Sequence, residues 1–252
     1  MYFDTHAHYD CDAFDADREA VLAALPSQGV AYIVDPGCDG ASSLAALRIA
    51  ESHSFVYAAV GWQPEEWASW DENSPALLRE LAASPRVVAI GEIGLDYYWD
   101  KSRKALQGEM FRAQLGIASE LSLPVIVHDR EAHADCLAMI AEFPEVRGVF
   151  HCFSGSAEMA AELVSRGWYL GFDGPVTYKS NKKAAEVLAH CPTERILIET
   201  DSPYLSPEPF RGKRNDSSRL PYIAARIAEL KGMEPSEIAA ITLENGKRLF
   251  GI

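Results

Sequence analysis

Residues 87–92 read Val-Val-Ala-Ile-Gly-Glu, a continuous apolar run that stops at a carboxylate. A strand buried on both faces shows such an uninterrupted run, whereas a half-exposed strand alternates apolar and polar residues. The run therefore predicts a strand inside a parallel sheet, with an acidic side chain directly after its last apolar residues.

Similar runs recur along the whole chain. The predicted strands are Met1–Thr5, Ala31–Asp35, Val56–Gly61, Val87–Gly91, Pro124–Val127, Gly148–Phe150, Trp168–Phe172 and Ile196–Glu199. Amphipathic segments between them predict helices at Arg18–Leu25, Ser42–Glu51, Ala76–Ala83, Gln107–Leu121, Ala132–Glu142, Ala157–Arg166 and Lys182–His190, with two more around Tyr222–Lys231 and Pro235–Phe250. This alternation is typical of parallel strands joined by crossover helices.

Eight strand–helix repeats in 252 residues predict an α/β protein of the (β/α)₈ or TIM-barrel type. Such a barrel takes about 250 residues, so we expect a single domain over residues 1–252. An open doubly wound sheet is the alternative, because alternation alone does not show closure. The glycine-rich dinucleotide fingerprint of such sheets does not follow the first strand, however.

The charge and cysteine content restrict the class of protein. The formal net charge is −14. Diffuse binding of long nucleic acid needs Lys and Arg to displace counterions, so a phosphate-bearing substrate must be attracted locally. The five cysteines are odd in number and form no CxxC pair, which indicates reduced thiols. Without a signal-peptide pattern or a long apolar run, we expect a cytoplasmic protein that does not contact membranes.

Five of the predicted strands end in a His, Glu or Asp. These residues are His6, His8, Glu92, His128, His151 and Asp201. In a (β/α)₈ barrel the carboxyl ends of the strands gather on one face. Each residue alone has an ordinary explanation, such as a hydrogen-bonded imidazole or a helix cap. Together they would bury like charges and unsatisfied groups at high cost unless they hold metal.

The donor set indicates which metals would bind. Four imidazoles and two carboxylates suit Zn²⁺, Mn²⁺, Ni²⁺ or Fe²⁺ better than the all-oxygen site that Mg²⁺ prefers. We therefore expect Zn²⁺, with Mn²⁺, Ni²⁺, Fe²⁺ or Mg²⁺ as alternatives. Six groups are too many for one four-coordinate ion with an open position, so two divalent cations that share a carboxylate fit better. Such pairs lower the pKa of a water and clamp the attacking and leaving oxygens of a displacement.

Five motifs resemble those of the TatD family of metal-dependent deoxyribonucleases. They are Asp4-Thr5-His6-Ala7-His8, Gly91-Glu92-Ile93-Gly94-Leu95-Asp96-Tyr97, Pro124-Val125-Ile126-Val127-His128, His151-Cys152-Phe153-Ser154-Gly155 and Glu199-Thr200-Asp201-Ser202-Pro203. The motifs follow the family's order over nearly the whole chain. The second, fourth and fifth together are highly specific, whereas the first alone is weak.

The resemblance implies a role for each matched residue. His6, His8 and Asp201 would hold one metal, His128 and His151 the other, and Glu92 would bridge them. Asp201 would also act as the general base that takes a proton from the attacking water. The implied activity is hydrolysis of phosphodiester bonds in DNA, often as a 3′–5′ exonuclease.

The sequence departs from the family pattern after the third strand. The family commonly has GxHP there, whereas this chain reads Gly61-Trp62-Gln63-Pro64. A glutamine can hydrogen-bond but cannot bind a proton as imidazole does, so we expect altered substrate contacts. The later loop Arg211-Gly212-Lys213-Arg214-Asn215 keeps the family's RGxxN part but lacks the Pro that normally follows.

Two further groups of residues are candidates for substrate contacts. Arg211, Lys213 and Arg214 form the densest basic stretch; we interpret it as a phosphate clamp, with a solvated loop as the alternative. Residues 97–99, Tyr-Tyr-Trp, either stack a nucleobase or pack against the protein. Asp96 before them is expected to orient the Glu92 loop or a ligand histidine, with a plain turn role as the alternative.

The leading hypothesis is therefore a monomeric two-metal phosphodiesterase for DNA or a small phosphodiester. An amidohydrolase-like enzyme for an ester, amide or lactone would share the barrel and the HxH start, although many dinuclear members of that group have a modified lysine where this chain has Glu92. A histidinol-phosphatase-like enzyme also opens with HxH, but the second and fifth motifs argue against it. The complete ligand set argues against a non-catalytic binding module.

Overall fold

The structure is a computed structural model that describes residues 1–99 and 101–252. In these residues the strands are β1 (Tyr2–Asp4), β2 (Val30–Pro36), β3 (Val56–Val60), β4 (Val87–Asp96), β5 (Val125–Arg130), β6 (Gly148–Phe150), β7 (Tyr169–Phe172) and β8 (Ile196–Ile198). The helices are α1 (Arg18–Ala24), α2 (Gly40–Ser52), α3 (Ser74–Ala82), α4 (Lys104–Leu121), α5 (His133–Ala141), α6 (Ala157–Ser165), α7 (Lys182–His190), α8 (Leu220–Lys231) and α9 (Pro235–Phe250). No helix of this described part is long and apolar enough to cross a membrane.

The fold is a (β/α)₈ barrel, as the alternation of strands and helices predicted. The strands follow one another in a single sheet in chain order. Beyond the ends of β1 and β8 the backbone continues to pair, because Thr5 N–H donates to Ile198 O (3.3 Å) and Asp201 N–H donates to His6 O (2.9 Å). The first and last strands are therefore neighbours, which excludes the open doubly wound sheet.

The described residues form two compact units. Unit 1 comprises Met1–Val34 and Cys152–Ile252, and unit 2 comprises Asp35–His151. In unit 1, β1 pairs with β2 and β7 pairs with β8, both in parallel. In unit 2, β3 to β6 pair in parallel in chain order. The expectation of one domain over residues 1–252 stays a prediction.

The bounds of β4 and β5 differ from the predicted Val87–Gly91 and Pro124–Val127. Both strands continue past their last apolar run, since Ile93 to Asp96 pair with Val127 to Arg130. Glu92 and His128 therefore lie inside strands, where the sequence had placed them at the ends. The prediction was wrong because backbone hydrogen bonds continue through polar side chains, whereas an apolar run stops at them.

An irregularity of the ladder accompanies Glu92. The register of β4 against β5 shifts between Ile90 and Ile93. Bulges of this kind re-aim side chains and are frequent beside active sites. Glu92 N–H donates instead to Gly37 O at 3.0 Å.

Some helices begin before the first residue of the apolar pattern, because capping interactions determine where a helix starts. Helix α2 begins at Gly40 rather than at the predicted Ser42, because the Asp39 side chain accepts from Ser42 N–H (2.8 Å) and closes a capping box. In α3 and α8 a proline occupies the first turn, where its missing N–H leaves no bond unmade. The predicted helices are all present, with bounds shifted by three residues or fewer.

Candidate metal centre

Three side chains converge in unit 1 beyond the ends of β1 and β8. His6 Nε2 and His8 Nε2 lie 3.0 Å apart, and they lie 3.6 Å and 3.5 Å from Asp201 Oδ1. The two histidines point to the same side because side chains alternate along an extended chain. Asp201 has a φ of 53°, in the left-handed region that aspartate tolerates better than most residues.

A second group of three forms in unit 2. Glu92 Oε1 lies 2.7 Å from His128 Nδ1 and 3.0 Å from His151 Nε2, and these two nitrogens are 3.3 Å apart. All three residues are largely buried. One carboxylate oxygen therefore faces two imidazole nitrogens, as one Asp201 oxygen does in unit 1.

The distances in each group lie within about 0.2 Å of the range expected for ligands on one ion. Two donors bonded to the same zinc-like cation at about 2.0–2.1 Å stand roughly 2.9–3.4 Å apart for angles between octahedral and tetrahedral. The observed separations are 3.0–3.6 Å in unit 1 and 2.7–3.3 Å in unit 2. Two nitrogens and one oxygen are also donors that suit a divalent transition metal. Each group by itself therefore fits a cation.

Asp96 orients one of the imidazoles. His128 Nε2 donates to Asp96 Oδ2 at 3.0 Å, which leaves Nδ1 directed at Glu92. The other oxygen of Asp96 accepts from the backbone N–H groups of Tyr98 (2.8 Å) and Trp99 (3.1 Å). Carboxylates that hold a ligand histidine in this way fix its tautomer and ring direction. Both roles that the sequence suggested for Asp96, the orienting contact and the turn, are present.

The electrostatics around the unit 2 group favour positive charge between Glu92 and Asp96. Burial opposes ionisation of Glu92, but the charges and hydrogen bonds of His151 and His128 outweigh it and hold the pKa of Glu92 well below its usual value. Burial likewise opposes a charge on His128, yet the bonds to Asp96 and Glu92 raise its pKa to about 10. A position that stabilises a proton this strongly also suits a cation that replaces the proton.

Two further buried carboxylates, Asp4 and Glu199, support the unit 1 group, and neither was predicted from the sequence to be a functional residue. Asp4 accepts from Thr200 N–H (2.9 Å) and Thr200 Oγ1 (2.6 Å), which ties the chain before His6 to the chain before Asp201. Glu199 accepts from Cys152 N–H at 2.6 Å. Burial raises the pKa of Asp4 to about 6 and that of Glu199 well above its usual value. The two-residue period of an extended chain could have identified Asp4, because Asp4 lies two residues before His6 and so points to the same side of the strand.

The basic loop after β8 is only partly available to a substrate. The guanidinium of Arg214 donates to both carboxylate oxygens of Asp17 (2.8 and 2.7 Å). Arg211 lies over the ring of Tyr178, 4.5 Å from its centroid. The side chain of Lys213 is exposed. Of the three predicted phosphate contacts, Arg214 thus has a carboxylate partner within unit 1.

Two residues considered for substrate contacts, Gln63 and Tyr97, form hydrogen bonds with other residues of the protein. The side chain of Gln63 is buried and accepts from Glu65 N–H at 2.7 Å, so it caps the short helix Pro64–Ser69. Tyr97 is 4% exposed and donates its hydroxyl to Asp135 at 2.7 Å. It packs rather than stacks on a ligand, whereas Tyr98 and Trp99 are exposed.

Comparison with known proteins gives matches over the full length of the chain. The sequence profile of the family described as TatD related DNase matches residues 3–251. The chain is 48% identical to the "Uncharacterized metal-dependent hydrolase YabD" of Bacillus subtilis, over 100% of both chains. It is 36% identical to the "3'-5' ssDNA/RNA exonuclease TatD" of Citrobacter rodentium, over 99% of this chain and 98% of that one. The crystal structure of the TatD homolog YJJV from Escherichia coli K12 superposes with a TM-score of 0.94 at 31% identity, over 100% of this chain and 98% of that one.

Proposed function

The chain belongs to the TatD related DNase family of metal-dependent hydrolases, and on that premise we propose that it holds two divalent cations and cleaves phosphodiester bonds in single-stranded DNA. His6, His8 and Asp201 are the proposed ligands of one cation, and Glu92, His128 and His151 those of the other. The observation that carries the proposal is the pair of ligand triangles, each with one carboxylate oxygen and two imidazole nitrogens at separations of 2.7–3.6 Å.

Zinc is the proposed metal, because imidazole nitrogen predominates among the donors. When bound, divalent cations lower the pKa of water and neutralise charge on a phosphodiester. Removal of the Glu92 carboxylate, and separately of the His128 imidazole, should lower the metal content of the protein.

The side chains of the protein have separate proposed tasks. Asp201 accepts a proton from the attacking water, for which its side chain, 14% exposed, remains accessible. Asp96 holds His128 in the orientation that presents Nδ1. Lys213 and Arg211 attract the phosphate of the substrate, a local attraction that the chain needs because its net charge is −14.

The proposed substrate end is the 3′ end of the strand, since a relative at 36% identity is named a 3′–5′ ssDNA/RNA exonuclease. The enzyme is proposed to act as a monomer. The cytoplasm is its proposed location, because an odd number of cysteines without a CxxC pair indicates reduced thiols, which a reducing compartment maintains.

Metal analysis and hydrolysis of a labelled oligonucleotide test the proposal. Glu92→Ala and Asp201→Ala should each lower kcat by at least about 100-fold while the far-UV circular dichroism stays unchanged. The exposed acids Glu80 and Asp12 provide matched controls, and Glu80→Ala and Asp12→Ala should retain the rate. Rates near normal in the Glu92 or Asp201 variant would contradict the assignment.

Substrate choice is tested in the same preparation. Wild-type protein loaded with each divalent ion is given a 5′-labelled single-stranded oligonucleotide, a carboxylic ester and a lactone. Shortening of the oligonucleotide from its 3′ end is the expected result. Turnover of the ester or lactone alone would instead favour the amidohydrolase-like alternative, which shares the barrel but not the phosphodiester substrate.

A further inference from the structure

Two adjacent aromatic side chains follow β4 and are left largely in solvent. Tyr98 is 49% exposed and Trp99 is 62% exposed, and their rings meet edge to face with centroids 4.8 Å apart. Aromatic side chains of this size usually bury most of their surface. Two neighbouring exposed rings therefore form an apolar surface that is available to a ligand.

The positively charged side chain of Arg130 lies against both rings. The guanidinium of Arg130 lies 3.9 Å from the ring centroid of Tyr98 and 5.3 Å from that of Trp99. Arg130 pairs with Asp96 in the β4–β5 ladder and stands two residues after His128, so its side chain leaves β5 on the same side as that of His128. Tyr98, Trp99 and Arg130 are called the stacking cluster below.

The backbone beneath the stacking cluster is held in place. Asp96 Oδ1 accepts from the N–H groups of Tyr98 and Trp99, and Tyr97 is anchored by its buried hydroxyl and by the ammonium of Lys104 over its ring, 3.8 Å from the centroid. The aromatic faces are thus presented by a turn that hydrogen bonds hold in place, which reduces the entropy that a ligand must remove on binding.

The same aspartate connects the stacking cluster to a proposed metal ligand. Asp96 Oδ2 accepts from His128 Nε2 at 3.0 Å, while Oδ1 holds the turn. A ligand seated on the rings is therefore separated from the His128 imidazole by one carboxylate. This is the arrangement expected where one part of a substrate is gripped and a neighbouring bond is cleaved.

We propose that the stacking cluster is a subsite for a nucleobase of the single-stranded substrate, with Arg130 placed against the adjacent phosphate. The inference rests on the proposed function, because it assigns a further part of the same substrate. Aromatic faces accept any base, and a guanidinium both stacks on rings and binds phosphate, so the chemistry fits a nucleic-acid strand of any sequence. The positive charge of Arg130 is complementary to such a strand in a chain that is otherwise acidic.

Kinetics on paired oligonucleotides test this subsite. One 5′-labelled single strand carries all its bases, and its partner has abasic residues at the last three positions of the 3′ end. Trp99→Ala should raise KM on the base-bearing strand about tenfold, which corresponds to about 1.4 kcal/mol of lost stacking, with kcat nearly unchanged. On the abasic strand, KM should be the same for wild type and variant.

Conservative and control variants separate stacking from a structural effect. Trp99→Phe keeps an aromatic face and should restore most of the KM, while Tyr98→Ala should behave like Trp99→Ala. Tyr222→Ala removes a ring of similar exposure, 43%, on α8 and should leave both substrates unaffected.

The possible outcomes are distinguishable from failure of the proposed function. An unchanged KM in Trp99→Ala, or an equal change on both strands, would overturn the subsite while wild-type hydrolysis still supported the nuclease. If the wild-type protein hydrolyses neither strand with any metal, the proposed function fails first and the subsite fails with it.

Discussion

The buried carboxyl group of Asp173 should make the free energy of unfolding depend on pH. Its side chain is buried after β7, and its Oδ2 has no hydrogen-bond partner among residues 1–99 and 101–252. It lines a cavity of about 120 Å³ together with Cys152, Phe153 and Phe172. Burial first, and then the charge of Asp201, raise the pKa of Asp173 from 3.8 to about 8.

The sign and size of the effect follow from proton linkage. In the unfolded chain the carboxyl titrates near 3.8, whereas in the folded protein it keeps its proton up to about 8. Between these values the folded state binds more protons, so the free energy of unfolding falls by about 1.4 kcal/mol per pH unit as the pH rises. From pH 5 to pH 7 this contribution loses about 3 kcal/mol, and above about pH 8 it is constant.

The substitution Asp173→Asn removes the titration and nearly conserves the shape. Its stability relative to the wild type should therefore increase by about 3 kcal/mol from pH 5 to pH 7 and then level off above pH 8. Urea unfolding at pH 5 to 9, followed by circular dichroism, measures this difference. A chelator is present throughout because a bound cation would change the charge of Asp201. The exposed Asp12→Asn is the control and should show no such trend.

A difference between Asp173→Asn and wild type that stays constant within about 0.5 kcal/mol across this range would refute the reasoning. It would mean that Asp173 is ionised in the folded protein at pH 5 as it is at pH 9.

Two other pairs of variants test packing and charge. Gly246→Ala in α9 would place a Cβ 2.5 Å from Cδ1 of the buried Phe3, so overpacking should lower the free energy of unfolding by about 1–3 kcal/mol. In Gly116→Ala in α4, the new Cβ would lie 3.9 Å from Phe143, and the higher helix propensity of Ala should raise the free energy of unfolding by up to about 1 kcal/mol. Urea unfolding measures both variants, and a change of the same sign in the two would contradict the packing argument. Lys213→Ala should raise KM for an oligonucleotide. It should also reduce the slope of log affinity against log salt concentration by about 0.7, the value of one phosphate contact on a single strand. Arg214→Ala should raise KM less, because Asp17 already binds the guanidinium of Arg214. A larger increase in KM for Arg214→Ala than for Lys213→Ala would show that Arg214 is the more important substrate contact.

The fold class and the proposed ligands could be read from local pattern. Continuous apolar runs alternating with amphipathic segments require buried parallel strands with covering helices, and this requirement holds whatever the distant residues are. Polar residues directly after such runs mark the strand ends, which is how His6, His8, His151 and Asp201 became candidates. Their binding of metal stays a prediction.

Local pattern was insufficient for the extent of β4 and β5 and for the roles of neighbouring aromatics. The strands continue because a partner strand offers hydrogen bonds beyond Gly91 and Val127, and no run of side chains records that partner. Tyr97 and Tyr98 are identical in type and adjacent, yet one is buried against Asp135 and the other is exposed beside Arg130.

The order and spacing of residues were thus enough to specify a (β/α)₈ barrel and six candidate ligands. Only the folded chain could reveal which oxygen faces which nitrogens and that Asp96 holds both His128 and the turn that carries Trp99. The same is true of the burial of Asp173, whose Oδ2 has no hydrogen-bond partner in the described part of the chain. The reason is physical: periodicity records which way a side chain points, whereas hydrogen bonds, burial and pKa values depend on neighbours that are distant in sequence.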